Sequence, residues 1–204
     1  MTRPTPASLQ QLAKRLLDER LPIPEGRVGS IQVKHELYPA GKELTVVGFR
    51  EAFFSGLPAT DITLTSPTIV RSLCGDENGV WMTDQPCELV QMWRELAMYA
   101  RGNVLIGGLG LGVVSRMVAL KAGVKLIDTV EISQDVIDLI APHLNGQFYV
   151  TPIHIVQADL YQYAEQIRKR QYSCALLDTW QGDGEWTWVS EVVPLRRALA
   201  QKMI

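Results

Sequence analysis

The chain has 204 residues, 47% of them hydrophobic and 21% charged, with a formal net charge of −2. That balance excludes a disordered chain and allows one good core, or a core plus a small appended unit. It shows none of the basic excess carried by proteins that grip phosphate backbones, so nucleic acid is not an expected partner.

Cys74, Cys87 and Cys174 have no metal-ligand spacing, and an odd number of thiols cannot all pair. They read as reduced thiols of a cytoplasmic protein. His35, His143 and His154 are scattered, so no metal site is expected. The opening Met1-Thr-Arg-Pro-Thr-Pro6 has no apolar stretch and does not read as a signal peptide. No apolar run approaches the ~20 residues that span a bilayer, and no membrane partner is expected.

In chain order, the first predicted element is a short helix. Ser8 is its expected cap, with Gln11 completing a capping box. Leu9, Leu12, Leu16 and Leu17 share a face, and Leu21-Pro-Ile-Pro24 closes the segment. Residues 31–37, 43–49, 61–64, 68–73 and 80–82 then read as short strands, punctuated by glycine and proline. A helix follows, with Asp84 as its expected cap, Pro86 in its first turn and Gly102 beyond its end.

From residue 103 the rhythm becomes strand, turn, helix. Strands are predicted at 103–106, 125–132, 151–157 and 172–177, with helices at 111–121, 134–144, 160–170 and 190–202. Alternation of this kind implies a parallel sheet covered by helices. The expected organisation is a helix plus small β-rich unit over 1–83 and a Rossmann-like α/β domain over 84–204.

The stretch Asn103-Val-Leu-Ile-Gly-Gly-Leu-Gly-Leu-Gly112 carries the chemistry. A buried strand runs into Gly107, Gly108, Gly110 and Gly112, with Leu109 between them, and then into a helix whose first amides are unsatisfied. Gly108, Gly110 and Gly112 give G-x-G-x-G, not the G-x-G-x-x-G of dinucleotide binders. Glu131 ends the second strand, where a carboxylate can accept both hydroxyl protons of a ribose, and Ile132 would lie beside the base. Asp159, followed by Leu160, ends the third strand, where it can accept from an adenine amino group or cap the next helix. Asp178 ends the fourth strand and is the candidate base for an amine or hydroxyl nucleophile. Trp180 and Asp183 follow it, and with Asp84 they are candidates for substrate contact.

Together these residues resemble the class I S-adenosylmethionine-dependent methyltransferases, and within them the spermidine synthase branch. Val104-Leu-Ile-Gly-Gly-Leu-Gly-Leu-Gly112 is similar to that branch's glycine motif. Val130-Glu-Ile-Ser-Gln-Asp-Val-Ile137 is similar to its ribose-binding strand and helix. Gln157-Ala-Asp159 resembles its adenine step, and Ala175-Leu-Leu-Asp178 its fourth-strand acidic motif. Gly79-Val-Trp-Met-Thr-Asp84 resembles the segment that leads out of its N-terminal β-domain.

The resemblance implies S-adenosylmethionine or its decarboxylated form as cofactor, with a small-molecule acceptor. It also implies three more strands after the fourth, whereas this sequence runs to Ile204. The open fourth-strand edge or the last helix is therefore expected to meet a second copy, or to pack on the N-terminal unit. Leu109-Gly-Leu111 lacks the acid that aminopropyltransferases carry there, and Gln91-Met-Trp93 stands in place of their Tyr-His-Glu segment. Methyl transfer is accordingly expected ahead of aminopropyl transfer, with a non-catalytic S-adenosylmethionine-binding protein as a further alternative.

Overall fold

The structure is a computed structural model that describes residues 4–48, 52, 56–75, 79–147, 149–179 and 193–203. Helix α1 spans Pro6–Asp18 and buries Leu9, Ala13 and Leu16. Its cap is Thr5, not the expected Ser8. Ser8 sits at the third helical position and completes the capping box from inside. Pro6 is the reason, because proline fits the first helical turn, where its missing amide costs nothing.

Strands β1 (Gly26–Val28), β2 (Ile31–Tyr38), β5 (Thr68–Cys74) and β6 (Val80–Thr83) form an antiparallel sheet in the order β1-β2-β5-β6. Strands β3 (Glu43–Val47) and β4 (Thr60–Thr63) pair as a separate antiparallel ribbon. Helix α2 (Pro86–Glu95) and a 3-10 turn (Ala97–Tyr99) lead to the second half.

The second half alternates β7 (Gly102–Gly107), α3 (Val113–Ala119), β8 (Val124–Glu131), α4 (Gln134–Asn145), β9 (Ile153–Gln157), α5 (Leu160–Gln166), β10 (Cys174–Leu177) and α6 (Val193–Met203). Its four strands are parallel, in the order β10-β7-β8-β9. Central β7 reads as a nearly unbroken apolar run, Val104-Leu-Ile106, because it is buried on both faces, whereas β8 carries Lys125, Asp128, Thr129 and Glu131 among its apolar residues. Helix α5 is shorter than predicted. The backbone becomes extended at Ile167 and left-handed at Arg170 (φ 61°), and both Ile167 and Tyr172 are buried.

Shared apolar clusters tie the halves together. One runs from Leu9 and Leu16 through Val46, Ile62 and Leu89 to Val104, Ile106 and Ile127. A second joins Ile31, Val33 and Leu73 to Leu109, Leu111, Val136 and Ile140. Fully burying one such Ile or Leu contributes about 1.5–3 kcal/mol. The third cluster holds Leu195 and Leu199 of α6 against Leu160, Ala164 and Tyr172. The last helix therefore packs on α5 and the sheet face, where its apolar stripe is buried. It does not pack on the N-terminal unit among the described residues.

Cations from neighbouring segments close three helix ends. Arg116 donates to the Glu19 carbonyl after α1. Lys121 donates to the Ala97 and Met98 carbonyls at 2.6 and 2.8 Å. Lys202 donates to the Ala164 and Glu165 carbonyls at 2.7 and 2.6 Å. Arg116 and Lys202 satisfy carbonyls at the ends of α1 and α5 and sit at the negative ends of those helix dipoles, while Lys121 ties down the 3-10 turn.

Candidate functional site

The parallel register aligns the carboxyl ends of the strands: Gly107 lies opposite Leu177 and Val130, and Glu131 opposite Gln157. The loop after β7 is pinned from three sides. The Gly108 amide donates to the Val130 carbonyl at 2.8 Å, and the Asp178 amide to the Gly107 carbonyl at 2.9 Å. Gly108 has φ +89°, and a Cβ there would lie 2.2 Å from the Asp178 carbonyl oxygen. Only glycine fits that place. Gly110 faces Met82 of β6, whose sulfur accepts the Leu111 amide at 3.1 Å. Gly112, at φ +72°, is the cap of α3, so the helix begins at Val113 and not at the predicted residue 111.

Glu131 is the buried acid of this edge. One carboxylate oxygen accepts the Leu109 amide at 2.8 Å, the other the Ser133 amide at 2.9 Å. Each oxygen keeps a lone pair beyond that bond. Beside it Ile132 stands 65% exposed, an apolar side chain left in water at the mouth of the site. Asp159 caps α5, accepting the Tyr161 amide at 2.7 Å, and Leu160 packs under Gly107.

Asp178 is half-buried at the end of β10. Burial, helped by the Glu88 carboxylate, pushes its pKa up to about 6. Glu88 was missed by the sequence reading. It sits in the first turn of α2, where an acid suits the helix dipole, and folds back to accept the Thr83 amide at 2.8 Å and the Thr83 hydroxyl. The signal available was an acid at the third position after a cap, which by itself says nothing about a site.

Asp84 is placed elsewhere. It does not cap α2; Gln85 holds that position without a side-chain bond. Asp84 is 2% exposed. One oxygen meets Arg20 at 2.8 Å and the Arg71 amide at 2.7 Å, and the other meets the Arg71 guanidinium at 3.0 Å. Burial lowers the Arg20 pKa, against the pull of Asp84. Two guanidinium partners explain why the carboxylate turns inward and away from the helix end. Trp180 and Asp183 lie outside the described residues.

The structure thus gathers Gly107, Gly108, Leu109, Gly110, Gly112, Glu131, Ile132, Asp159, Leu160 and Asp178 at one edge, together with Glu88 and Met82. No family model matches the sequence, and no curated protein matches it. Among solved structures, a spermidine synthase in complex with the transition-state analogue AdoDATO aligns with a TM-score of 0.51 at 18% identity, over 90% of this chain and 55% of that one. The chain has the Rossmann-like α/β fold seen in that spermidine synthase.

Two more matches lie further off. The spermidine synthase of Thermotoga maritima aligns at 18% identity over 79% of this chain and 49% of that one, with a TM-score of 0.45. An S-adenosylmethionine-dependent methyltransferase of Agrobacterium tumefaciens aligns at 14% identity over 66% and 46%, with a TM-score of 0.42. This chain spans about half the length of the solved structures it matches.

Proposed function

We propose that the carboxyl edge of the parallel sheet binds S-adenosylmethionine, and that the chain transfers its methyl group to a small-molecule nucleophile. The observation that carries this reading is the Glu131 carboxylate, anchored between the Leu109 and Ser133 amides beside exposed Ile132. That arrangement fits a nucleoside. The remaining lone pairs of Glu131 accept ribose hydroxyls, and Ile132 lies against the adenine face. Asp159, at the next strand end, accepts from the exocyclic amine. The glycine loop fits as well, because backbone without Cβ atoms lets the methionine end approach. The cofactor supplies a carbon already activated by the sulfonium. The protein then aligns, excludes water and takes up a proton. With a pKa of about 6, Asp178 is mostly ionised at neutral pH and can accept that proton.

Glu88 favours a second reading. A second carboxylate close to Asp178 suits a cationic amine acceptor. It therefore favours aminopropyl transfer from decarboxylated S-adenosylmethionine more than the sequence reading does.

Calorimetric titration of S-adenosylmethionine, its decarboxylated form, methylthioadenosine and NAD tests both readings. The expected result is binding of S-adenosylmethionine, weakened at least ~10-fold in Glu131→Gln, since a lost charged hydrogen bond costs about 1.5–3 kcal/mol, and also weakened in Ile132→Asp, which puts a carboxylate where the base needs apolar contact. Ile132 is exposed, so its variant folds like the wild type. Tighter binding of the decarboxylated form selects the second reading. A folded wild type that binds none of the four ends both.

A further inference from the structure

The opposite edge of the same sheet, where the strands begin, carries no part of the site. Four segments meet there. The Gly102 amide donates to the Gly123 carbonyl at 2.8 Å, and Lys121 holds the 3-10 turn through Ala97 and Met98. Val150 and Thr151 donate to the Ala119 carbonyl at 3.1 and 3.2 Å. The Ser173 amide donates to the Asn103 carbonyl at 2.7 Å, and the Arg170 amide to the Lys202 carbonyl at 2.7 Å.

Residues 96–102, 119–125, 149–153 and 166–174 contain no Asp or Glu. They do contain Arg101, Lys125, Arg168, Lys169 and Arg170, all exposed. The nearby acids are Asp128, which points inward and is held by Tyr172 and His154, and exposed Glu95 and Glu165, which directly precede two of these segments and are outnumbered by the cations. Among these cations stand exposed apolar side chains: Tyr99 at 58%, Val150 at 66%, and also Met98 and Leu120. Half-buried Lys121 follows Leu120 in the chain and donates to the Met98 carbonyl.

We infer that this edge is a docking surface for a bilayer rich in anionic phospholipid. The cations face lipid phosphates, while Tyr99, Leu120, Val150 and Met98 enter the headgroup boundary. Such binding needs both features together, charge for attraction and apolar area for insertion. A nucleic-acid backbone satisfies the cations but gives Val150, Leu120 and Met98 nothing apolar to meet. A symmetric contact with a second copy sets cations against cations. No described helix is long and apolar enough to cross a membrane, so the contact is peripheral. The chain would lie with its carboxyl-edge site turned toward solvent.

Co-sedimentation of the full chain with two kinds of vesicle tests this, without any cofactor. One kind is neutral phosphatidylcholine, the other an equal mixture with phosphatidylglycerol. The expected result is binding to the mixed vesicles only, weakened by added salt. Lys125→Gln with Lys169→Gln reduces partitioning roughly 30-fold, from about 1 kcal/mol per basic residue at such a surface. Tyr99→Ser with Val150→Ser also reduces it several-fold at unchanged charge. All four positions are exposed, so melting temperatures stay close to wild type. Failure to bind mixed vesicles overturns the inference. So does binding that ignores Tyr99→Ser with Val150→Ser, or tighter binding to double-stranded RNA than to the vesicles.

Discussion

The two ends of the parallel sheet are built from the same strands and carry opposite chemistry. At the carboxyl end stand Glu131, Asp159, Asp178 and, from α2, Glu88. At the amino end stand Arg101, Lys125 and the Arg168-Lys-Arg170 run. Part of the contrast follows from the helices between the strands. Each starts at the carboxyl end, where its dipole favours acids, and finishes at the amino end, where it favours cations. Asp135 in the first turn of α4 and Lys121 beyond α3 illustrate the rule. The dipole does not account for apolar side chains left in water, and both ends have them: Ile132 at one, Tyr99 and Val150 at the other. Charge polarity is therefore the background, and exposed apolar surface marks where a partner is expected.

The sharpest way to break that comparison is to separate acids that hold the fold from acids that face a ligand. Asp84 belongs to the first kind. Asp84→Ala strips two guanidinium groups of their partner in a buried place. Removing one member of a buried pair costs about 3–5 kcal/mol, so urea unfolding should shift by that amount. Ligand affinity of the fraction that remains folded should stay at wild-type level. A loss of affinity at full stability would instead return Asp84 to the substrate-contact role read from the sequence.

The glycine loop comes next in size. Gly108→Ala places a Cβ 2.2 Å from a backbone oxygen that cannot move aside, at a φ of +89°. Backbone strain and overpacking together make that change cost on the order of 3 kcal/mol. Gly110→Ala meets only the flexible Met82 side chain, and its φ of +50° is the milder departure. The smaller loss there, read from the same unfolding curves, distinguishes a loop held by backbone from one held by side chains. Equal losses would mean that the close approach to Asp178 is not what fixes the loop.

Much of the second half was legible because parallel strands buried on both faces read as continuous apolar runs, such as Val104-Leu-Ile106. The four strands, their order of appearance and the glycine loop were all visible in that pattern. So was the edge that gathers Glu131, Asp159 and Asp178. Strand β1 was not, since Gly26-Arg-Val28 is too short to alternate and pairs only through β2. Asp84 read as a cap because its true partners, Arg20 and Arg71, lie 64 and 13 residues away. Glu88 hid inside an ordinary helix start. The basic and apolar rim was invisible for the same reason in a stronger form. Four separate segments build it, and the one basic run among them, Arg168-Lys-Arg170, reads by itself as a solvated helix end.

The subtlest expected effect concerns Asp178. A carboxyl group whose pKa rises on folding binds its proton more tightly in the native state. Its contribution therefore favours the native state at low pH and is lost as pH rises from the ordinary 3.8 through about 6. Wild type should lose stability across that window relative to Asp178→Asn, in which the titrating group is gone. Burial is the first cause and Glu88 the second, so Glu88→Gln should narrow the window without closing it. Carbon-13 NMR of the Asp178 carboxyl reads the same quantity directly. A midpoint near 6 in wild type, lowered in Glu88→Gln, places the two carboxylates in one electrostatic site. A midpoint near 3.8 in both would show that Asp178 is solvated and that Glu88 does no more than hold the start of α2, which removes the observation behind an amine acceptor.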